Sequence, residues 1–433
     1  VHKINSLLCG LLCLLVGCGS PPADPNPEAT VRIVQSPDGH YNLLRHGKPF
    51  FIRGASGQAY IPELRRAGGN CLRVYDTLNL QAVLDTAEQY GIAVIADLPL
   101  PESRFLDFYR DEEAVKSLYR AHRRTVRRYK DHPALLMWML GNELDFPYKP
   151  NYRPFYRAYN DLLSMIKQED SNHPVSTALT NFNRRSVTNL RWKVPGLDLL
   201  AINTFGMLTS LEEELDAFEW MWDGPYIVSE WGINGYWEES KTAWQAPLEH
   251  SSHKKAEQLQ KRYWSAMPLE DSRFLGSLMF YWGHKQEATD TWFNAFTAQG
   301  RPTELYYGFA QLWQDEPLPS RAPPLRYVLL NKQGGQDSPL LKAGAVQQAS
   351  LHLEQSVNKP LHVKWALRTE DWFSLELDTV PPIREYPKLL LQRDSTALKF
   401  RAPGEEGPYR LFAYLSYPEG AVTTVNIPFY VVR

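Results

Sequence analysis

The sequence predicts an α/β fold: a (β/α)8 TIM barrel over residues 31–316, a linker over 317–325, and a small β-sandwich of immunoglobulin-like type over 326–433. Three observations lead there. Short apolar runs alternate with amphipathic stretches, the pattern of repeated βα units around a parallel sheet. Eight such runs can be traced, which is the number a single closed barrel needs. Beyond Leu312 the alternation stops: Pro317, Pro319, Pro323 and Pro324 mark a break, and strand-like runs then follow without helices between them.

The elements follow in order. Val31–Val34 and Tyr41–Leu44 flank Ser36-Pro37-Asp38-Gly39, which reads as a hairpin with an Asp-Gly turn. Placed ahead of the first barrel strand, it would plug the bottom of the barrel. The barrel strands are expected at Phe50–Arg53, Cys71–Tyr75, Ile92–Asp97, Leu135–Leu140, Val175–Leu179, Leu197–Ile202, Tyr226–Ser229 and Phe274–Phe280. Helices are expected at Leu80–Tyr90, stopped by Gly91, and at Glu112–Tyr129, Tyr152–Gln168 and Ser251–Met267. Arg127 and Arg128 close the second of these, where positive charge suits the helix dipole. An open doubly wound sheet would share the alternation, but no Gly-x-Gly-x-x-Gly turn follows the first strand. In the last section the expected strands are Arg326–Leu330, Ala349–Glu354, His362–Arg368, Ala397–Arg401, Arg410–Tyr417 and Val425–Val432. Such short strands, spaced by roughly 8–12 residues with turns between them, suggest a sandwich with a structural role.

Charge and cysteine usage narrow the function. Lys and Arg total 47 against 49 Asp and Glu, so there is no electrostatic case for a nucleic-acid partner. Cys9, Cys13 and Cys18 precede the barrel and only Cys71 lies within it, so the body can form no intramolecular disulfide. Residues 1–17 read as a secretory signal: a short basic start, then an apolar run from Leu7 to Val16 that is too short to span a bilayer. The ending Leu15-Val16-Gly17-Cys18 resembles the bacterial lipobox, which implies cleavage before Cys18 and acylation of that cysteine. Residues 18–30, rich in proline, would then be an extended tether in a cell envelope. Gly19 rather than aspartate follows the cysteine, which by resemblance to sorted lipoproteins favours the outer membrane in a Gram-negative host.

Two glutamates stand out among many ordinary surface carboxylates. Glu143 follows the apolar run Leu135–Leu140 through Gly141-Asn142, and Glu230 closes the run Tyr226–Ser229. These are the expected fourth and seventh strands, and in a barrel the C-terminal strand ends face the active-site mouth. Two carboxylates about 5–5.5 Å apart are what double-displacement cleavage of a glycosidic bond needs, one as nucleophile and one as acid then base. The acid must be kept protonated, and Trp138 in the preceding strand would offer it an apolar neighbourhood.

The segments Asp131-His132-Pro133-Ala134-Leu135-Leu136-Met137-Trp138-Met139-Leu140-Gly141-Asn142-Glu143 and Ser229-Glu230-Trp231-Gly232 resemble the acid/base and nucleophile segments of clan A glycoside hydrolases. They are most similar to the barrel domain of family 2, the β-galactosidase and β-glucuronidase family. Further pieces resemble the same domain: His46–Gly54 its first strand, Gly69–Tyr75 its second, Gly91–Pro99 its third, Asp198–Gly206 its sixth and Phe280-Tyr281-Trp282 its eighth. The resemblance covers about residues 40–315. It implies Glu143 as acid/base, Glu230 as nucleophile, Asn142 as a ligand of the sugar 2-hydroxyl, Arg73 as the group holding Glu230 ionised, and Trp282 as the floor of the sugar subsite. Asn203, Trp231, Trp237 and Asp97 join the expected substrate-binding set, with Asp76 and His284 also at strand ends. Tyr236, Trp237 and Trp244 are candidates for a subsite wall. Phe205 stands where the clan commonly has a tyrosine bonded to the nucleophile, so that role is vacant or supplied elsewhere. The sandwich domains that precede the family 2 barrel are missing, so exo-action on galactosides or glucuronides does not carry over. Arg73-Val74-Tyr75 also resembles the second strand of β-1,3-glucan-active barrels, glucanosyltransferases included.

The resulting expectation is a retaining glycosidase acting on β-linked oligo- or polysaccharide outside the cytoplasm. A transglycosylase with the same intermediate and a non-catalytic glycan-binding lipoprotein are the alternatives. No cofactor and no metal are called for: His250 and His253 share an expected helix face, but no third ligand accompanies them.

Overall fold

The computed structural model describes residues 26–433 other than 317, 321, 355–360, 371–381 and 419. The expected signal segment, Cys18 and most of the tether lie outside the described residues, as does Pro317 of the linker.

The chain enters as the expected hairpin. Val31–Gln35 (β1) and Tyr41–Arg45 (β2) pair antiparallel, Val31 opposite Arg45 and Gln35 opposite Tyr41. Gly39 takes φ +91° in the turn, a conformation costly for any side chain. Lys48–Pro49 (β3) adds a short third strand. Residues 26–30, expected in the tether, are instead docked on the barrel. Asn26 Nδ2 donates to Ser171 O at 3.0 Å, Ala29 is buried, and Val31 N–H bonds Asn172 O. Backbone groups held this way cannot belong to a free linker.

Eight parallel strands then close a barrel: Ile52–Ser56 (β4), Cys71–Val74 (β5), Ala93–Leu98 (β6), Leu135–Asn142 (β7), Val175–Thr180 (β8), Leu200–Asn203 (β9), Tyr226–Trp231 (β10) and Phe274–Met279 (β11). Each pairs with its neighbour in sequence, and β11 returns to β4. Their inward residues, among them Ile52, Ile95, Met137, Met139 and Ile227, form one apolar cluster with Val31 and Leu43 of the hairpin. The hairpin therefore seals the end opposite the C-terminal strand ends. Cys71 is buried in this interior, where burial pushes its thiol up to about 12.

The outward strand residues pack beneath the helices. The helix Glu112–Tyr129 starts where Asp111 accepts hydrogen bonds from the Glu113 and Ala114 N–H groups, a side-chain N-cap. Glu169, at the end of the helix Arg153–Glu169, ties Arg123 and Arg127 across the helix pair. The helix expected over Ser251–Met267 runs from Ser252 to Ala266 with Ser251 as N-cap. His250 therefore precedes the helix, and it shares no helix face with His253, which bonds Glu304 at 3.1 Å. No described helix is long and apolar enough to cross a membrane.

Irregularities at the top of two strands bear on the site. Between Met139 and Asn142 strand β7 advances one residue more than β8, and between Val228 and Glu230 β10 does the same against β9. Such bulges bend a strand and re-aim its side chains.

Past the linker, eight strands among the described residues form two four-stranded sheets: Leu325–Leu330 (β12), Leu340–Lys342 (β13), Val346–Leu353 (β14), His362–Thr369 (β15), Leu390–Arg393 (β16), Ala397–Arg401 (β17), Gly407–Ser416 (β18) and Val422–Val432 (β19). The orders are β12-β14-β17-β16 and β13-β19-β18-β15, and both sheets contribute to one apolar cluster. β13 and β16, too short to show a pattern, are additions to the expected set. The second sheet is bound to the barrel by buried polar groups. Arg410, paired with Glu370, donates to Pro247 O, while Asn426 bonds Glu249, itself paired with Lys255.

Candidate active site

At the C-terminal mouth of the barrel a cavity of about 470 Å³ opens over Glu230. Arg73 lies beneath it, fully buried at the end of β5. Its guanidinium makes a two-pronged pair with Asp97 of β6 at 2.7 and 3.0 Å and reaches Glu230 Oε1 at 3.1 Å. Burial opposes the positive charge, but Asp97 and Glu230 outweigh it and hold the guanidinium above its ordinary value. Tyr75, two residues on and so on the same face, donates its hydroxyl to Glu230 Oε1 at 2.8 Å. Burial pushes the Glu230 carboxyl up to about 7 against the pull of Arg73, and the Glu143 charge adds to the rise.

Glu143 is the exposed partner. Its backbone sits at φ +53°, a strained conformation for a side-chain-bearing residue, and with Gly141 at φ +78° two residues before it turns the chain at the end of β7. Asn203 Nδ2 donates to Glu143 Oε1 at 2.9 Å and to Asn142 Oδ1 at 3.1 Å. The Asn203 Oδ1 accepts from Ser229 Oγ at 2.7 Å and from Arg73 Nη1 at 3.2 Å. Asn203 lines the cavity as expected, but both its ends are committed to protein partners, and its side chain positions Glu143. Asn142 keeps its donor end: Oδ1 accepts from Arg73 and Asn203, leaving Nδ2 for a ligand.

The structure redistributes the other expected site residues. Trp237 lines the cavity, edge-on to Phe205 at 5.5 Å, and Tyr236 stands beside it. Trp282 does not floor a subsite: it is fully buried, gives its indole N–H to Tyr60 O and packs on Phe296 and Tyr306. Phe280 faces the cavity in its place. Trp231 is also fully buried and packs outward on Tyr263 and Phe309. Asp97 lies below the cavity, paired with Arg73, and cannot reach a sugar. Trp138 gives no apolar cover to Glu143, because it points to the helix layer and bonds Asp170 at 2.8 Å. Asp76 and His284 are not among the lining residues, and Trp244 packs on Tyr430 of the last strand. Tyr75 fills the role left open at Phe205, and Lys285, Glu287 and Glu238 complete the lining.

Fold and site define a parallel eight-stranded barrel with an opposed carboxylate pair at its mouth, an arrangement suited to acid/base and nucleophilic chemistry. Residues 60–264 match the family described as glycosyl hydrolases family 2, TIM barrel domain. The chain is 25% identical over 224 residues to the β-glucuronidase of Mus musculus, covering 44% of this chain and 32% of that one. With the β-glucuronidase of Rattus norvegicus it is 27% identical over 229 residues, 44% and 32% respectively. It thus spans about a third of the length of these curated relatives. Among solved structures it shares its fold with the β-D-glucuronidase of Dictyoglomus thermophilum (TM-score 0.51, 17% identity, 67% of this chain and 54% of that one). The Bacteroides uniformis β-glucuronidase is similar at TM-score 0.51 and 16% identity, over 93% of this chain and 48% of that one.

Proposed function

We propose that the protein is a retaining β-glycosidase that cleaves a β-linked oligo- or polysaccharide, with Glu230 as nucleophile and Glu143 as acid/base. One observation carries this reading: a buried carboxylate held by Arg73 and Tyr75 at the floor of a cavity whose rim presents a second, exposed carboxylate. In the first step ionised Glu230 attacks the anomeric carbon while Glu143 gives its proton to the departing oxygen. In the second, Glu143 takes a proton from water, and that water displaces Glu230. Asn142 Nδ2 donates to the sugar 2-hydroxyl, Arg73 and Tyr75 stabilise Glu230 as a leaving carboxylate, and Phe280 and Trp237 offer ring faces to the sugar.

A 2-deoxy-2-fluoro glycoside with a good leaving group should label Glu230, located by peptide mass. Glu230→Gly should lose turnover and regain it with azide, giving a product of inverted configuration. An active Glu230→Gln protein, or inversion by the unmodified one, would refute the assignment.

We propose as well that Cys18 carries a lipid, for which the leader pattern is the support. The docked segment 26–30 leaves the barrel at its plugged end, so an anchor there would turn the site away from the membrane. Cys18→Ala should leave a soluble or uncleaved precursor; a cleaved variant still fractionating with membranes would contradict acylation.

A further inference from the structure

Four carboxylates line the cavity, Glu143, Glu230, Glu238 and Glu287, against one cationic side chain, Lys285. That cation is already engaged. Its Nζ lies 2.5 Å from Glu287 Oε2 and 5.0 Å over the Phe280 ring. The floor offers an anion nothing either, because Arg73 is fully buried and its nitrogens are taken by Asp97, Glu230, Asn142 and Asn203. Glu238, in the segment after β10, already accepts from the Gly206 and Gly235 N–H groups. The remaining lining is neutral: Asn142, Thr180, Asn181, Asn203 and aromatic rings.

Resting on the glycosidase reading, we propose that the sugar in front of Glu230 is an uncharged hexose, and that the site discriminates against uronosides. Glu287 is the specificity-determining residue, because it keeps Lys285 from anchoring a substrate carboxylate. A uronate entering this cavity brings a negative charge beside Glu230, Glu238 and Glu287, while Glu143 carries the proton of the first step. Lys285 has further N–H donors, but its charge is already offset by Glu287 at 2.5 Å, so a uronate gains little attraction from it. An uncharged hexose asks only for hydrogen bonds and a ring face. The β-glucuronidases to which the barrel is similar are named for uronosides, so this would be a divergence in specificity within one barrel type.

The test compares kcat/KM for aryl β-glycosides of neutral hexoses with that for the aryl β-glucuronide, near neutral pH and at low salt. The best neutral substrate should exceed the glucuronide by about 100-fold or more, the scale of like-charge juxtaposition. Glu287→Gln should raise the glucuronide-to-neutral ratio by about tenfold, because one nearby charge is gone and Lys285 is released. Lys285→Gln should not raise it. In parallel, calorimetry with a neutral aldonolactone and its uronic counterpart measures the same preference without turnover. A protein that turns over or binds the uronic compound as well as the neutral one overturns the proposal. So does a Glu287→Gln variant with an intact thermal transition and an unchanged ratio in both assays. If no glycoside of either class is cleaved while the neutral lactone is preferred, the catalytic reading fails and the charge selection stands.

Discussion

At Glu230 burial and partnership act in opposite directions, and the pH dependence of the site follows from their balance. The carboxyl is raised from 4.5 to about 7 by burial, with Arg73 pulling it back. A nucleophile must be ionised, so kcat/KM should rise with pH through about 7, a limb belonging to the free protein. Tyr75→Phe removes a donor that favours the charged form and should move this limb to higher pH; a limb left in place would show that another group titrates there. The same shift has a stability sign. A carboxyl raised on folding contributes stability that is present below its unfolded value and lost as pH rises through about 7. At pH 8 the ionised form therefore costs up to about 3 kcal/mol, and Glu230→Gln should melt higher than the parent protein while losing turnover. A lower melting temperature at pH 8 would mean that Arg73 and Tyr75 outweigh burial.

Among the elements, the hairpin and the last sheet make separable contributions. Leu43→Ala on β2 would leave a void at the plugged end and should cost about 2–5 kcal/mol in denaturant unfolding without altering KM. The pair Arg410–Glu370 is buried to 1% exposure on both sides and sits where β18 meets the segment between β10 and the helix Ser252–Ala266. Arg410→Met alone should cost about 3–5 kcal/mol, because it removes the buried cation that faces Glu370, and adding Glu370→Leu should recover most of that. If the double variant is as unstable as the single one, the bonds from Arg410 to Pro247 and Asn426 matter more than its charge.

Across the whole molecule, the last sheets do more than add mass. The segment that carries Tyr236 and Trp237 continues into Ala243, bonded to Ser338, then Trp244 on Tyr430, and Glu249 on Asn426. One wall of the cavity is thus held from outside the barrel. A chain ending near residue 316 should lose this support, which can be followed as exposure of apolar surface to a dye and as loss of turnover. A truncated barrel with full activity and a cooperative melt would show the wall to be self-supporting. The polar seam also argues against a loosely docked domain, so intact protein should resist proteolysis near Pro324, whose carbonyl is bonded by Glu354 N–H.

Much of this was legible in the sequence, and for identifiable reasons. The short apolar runs of the barrel strands and the capped, charge-biased helices are local patterns, so the barrel, its hairpin and the glutamates at two strand ends could be read directly. Tyr75 was readable as well, since Arg73 and Tyr75 must share a face. By the same alternation an inward Glu230 implies an outward Trp231, and Trp138 points outward like it; those signals were present and missed. Other features depend on residues distant in sequence. Trp282 lies beyond the end of β11, where strand parity no longer holds, and only packing on Tyr306 and Phe296 sends it into the core. Asn203 is spent on four partners from three other strands, which no local window contains. The sequence alone determined which strand ends form the barrel mouth, because strand direction is local; the tertiary structure decided which side chains line it and which of them meet, because side-chain direction at a strand end is set by bulges, turns and neighbours across the sheet.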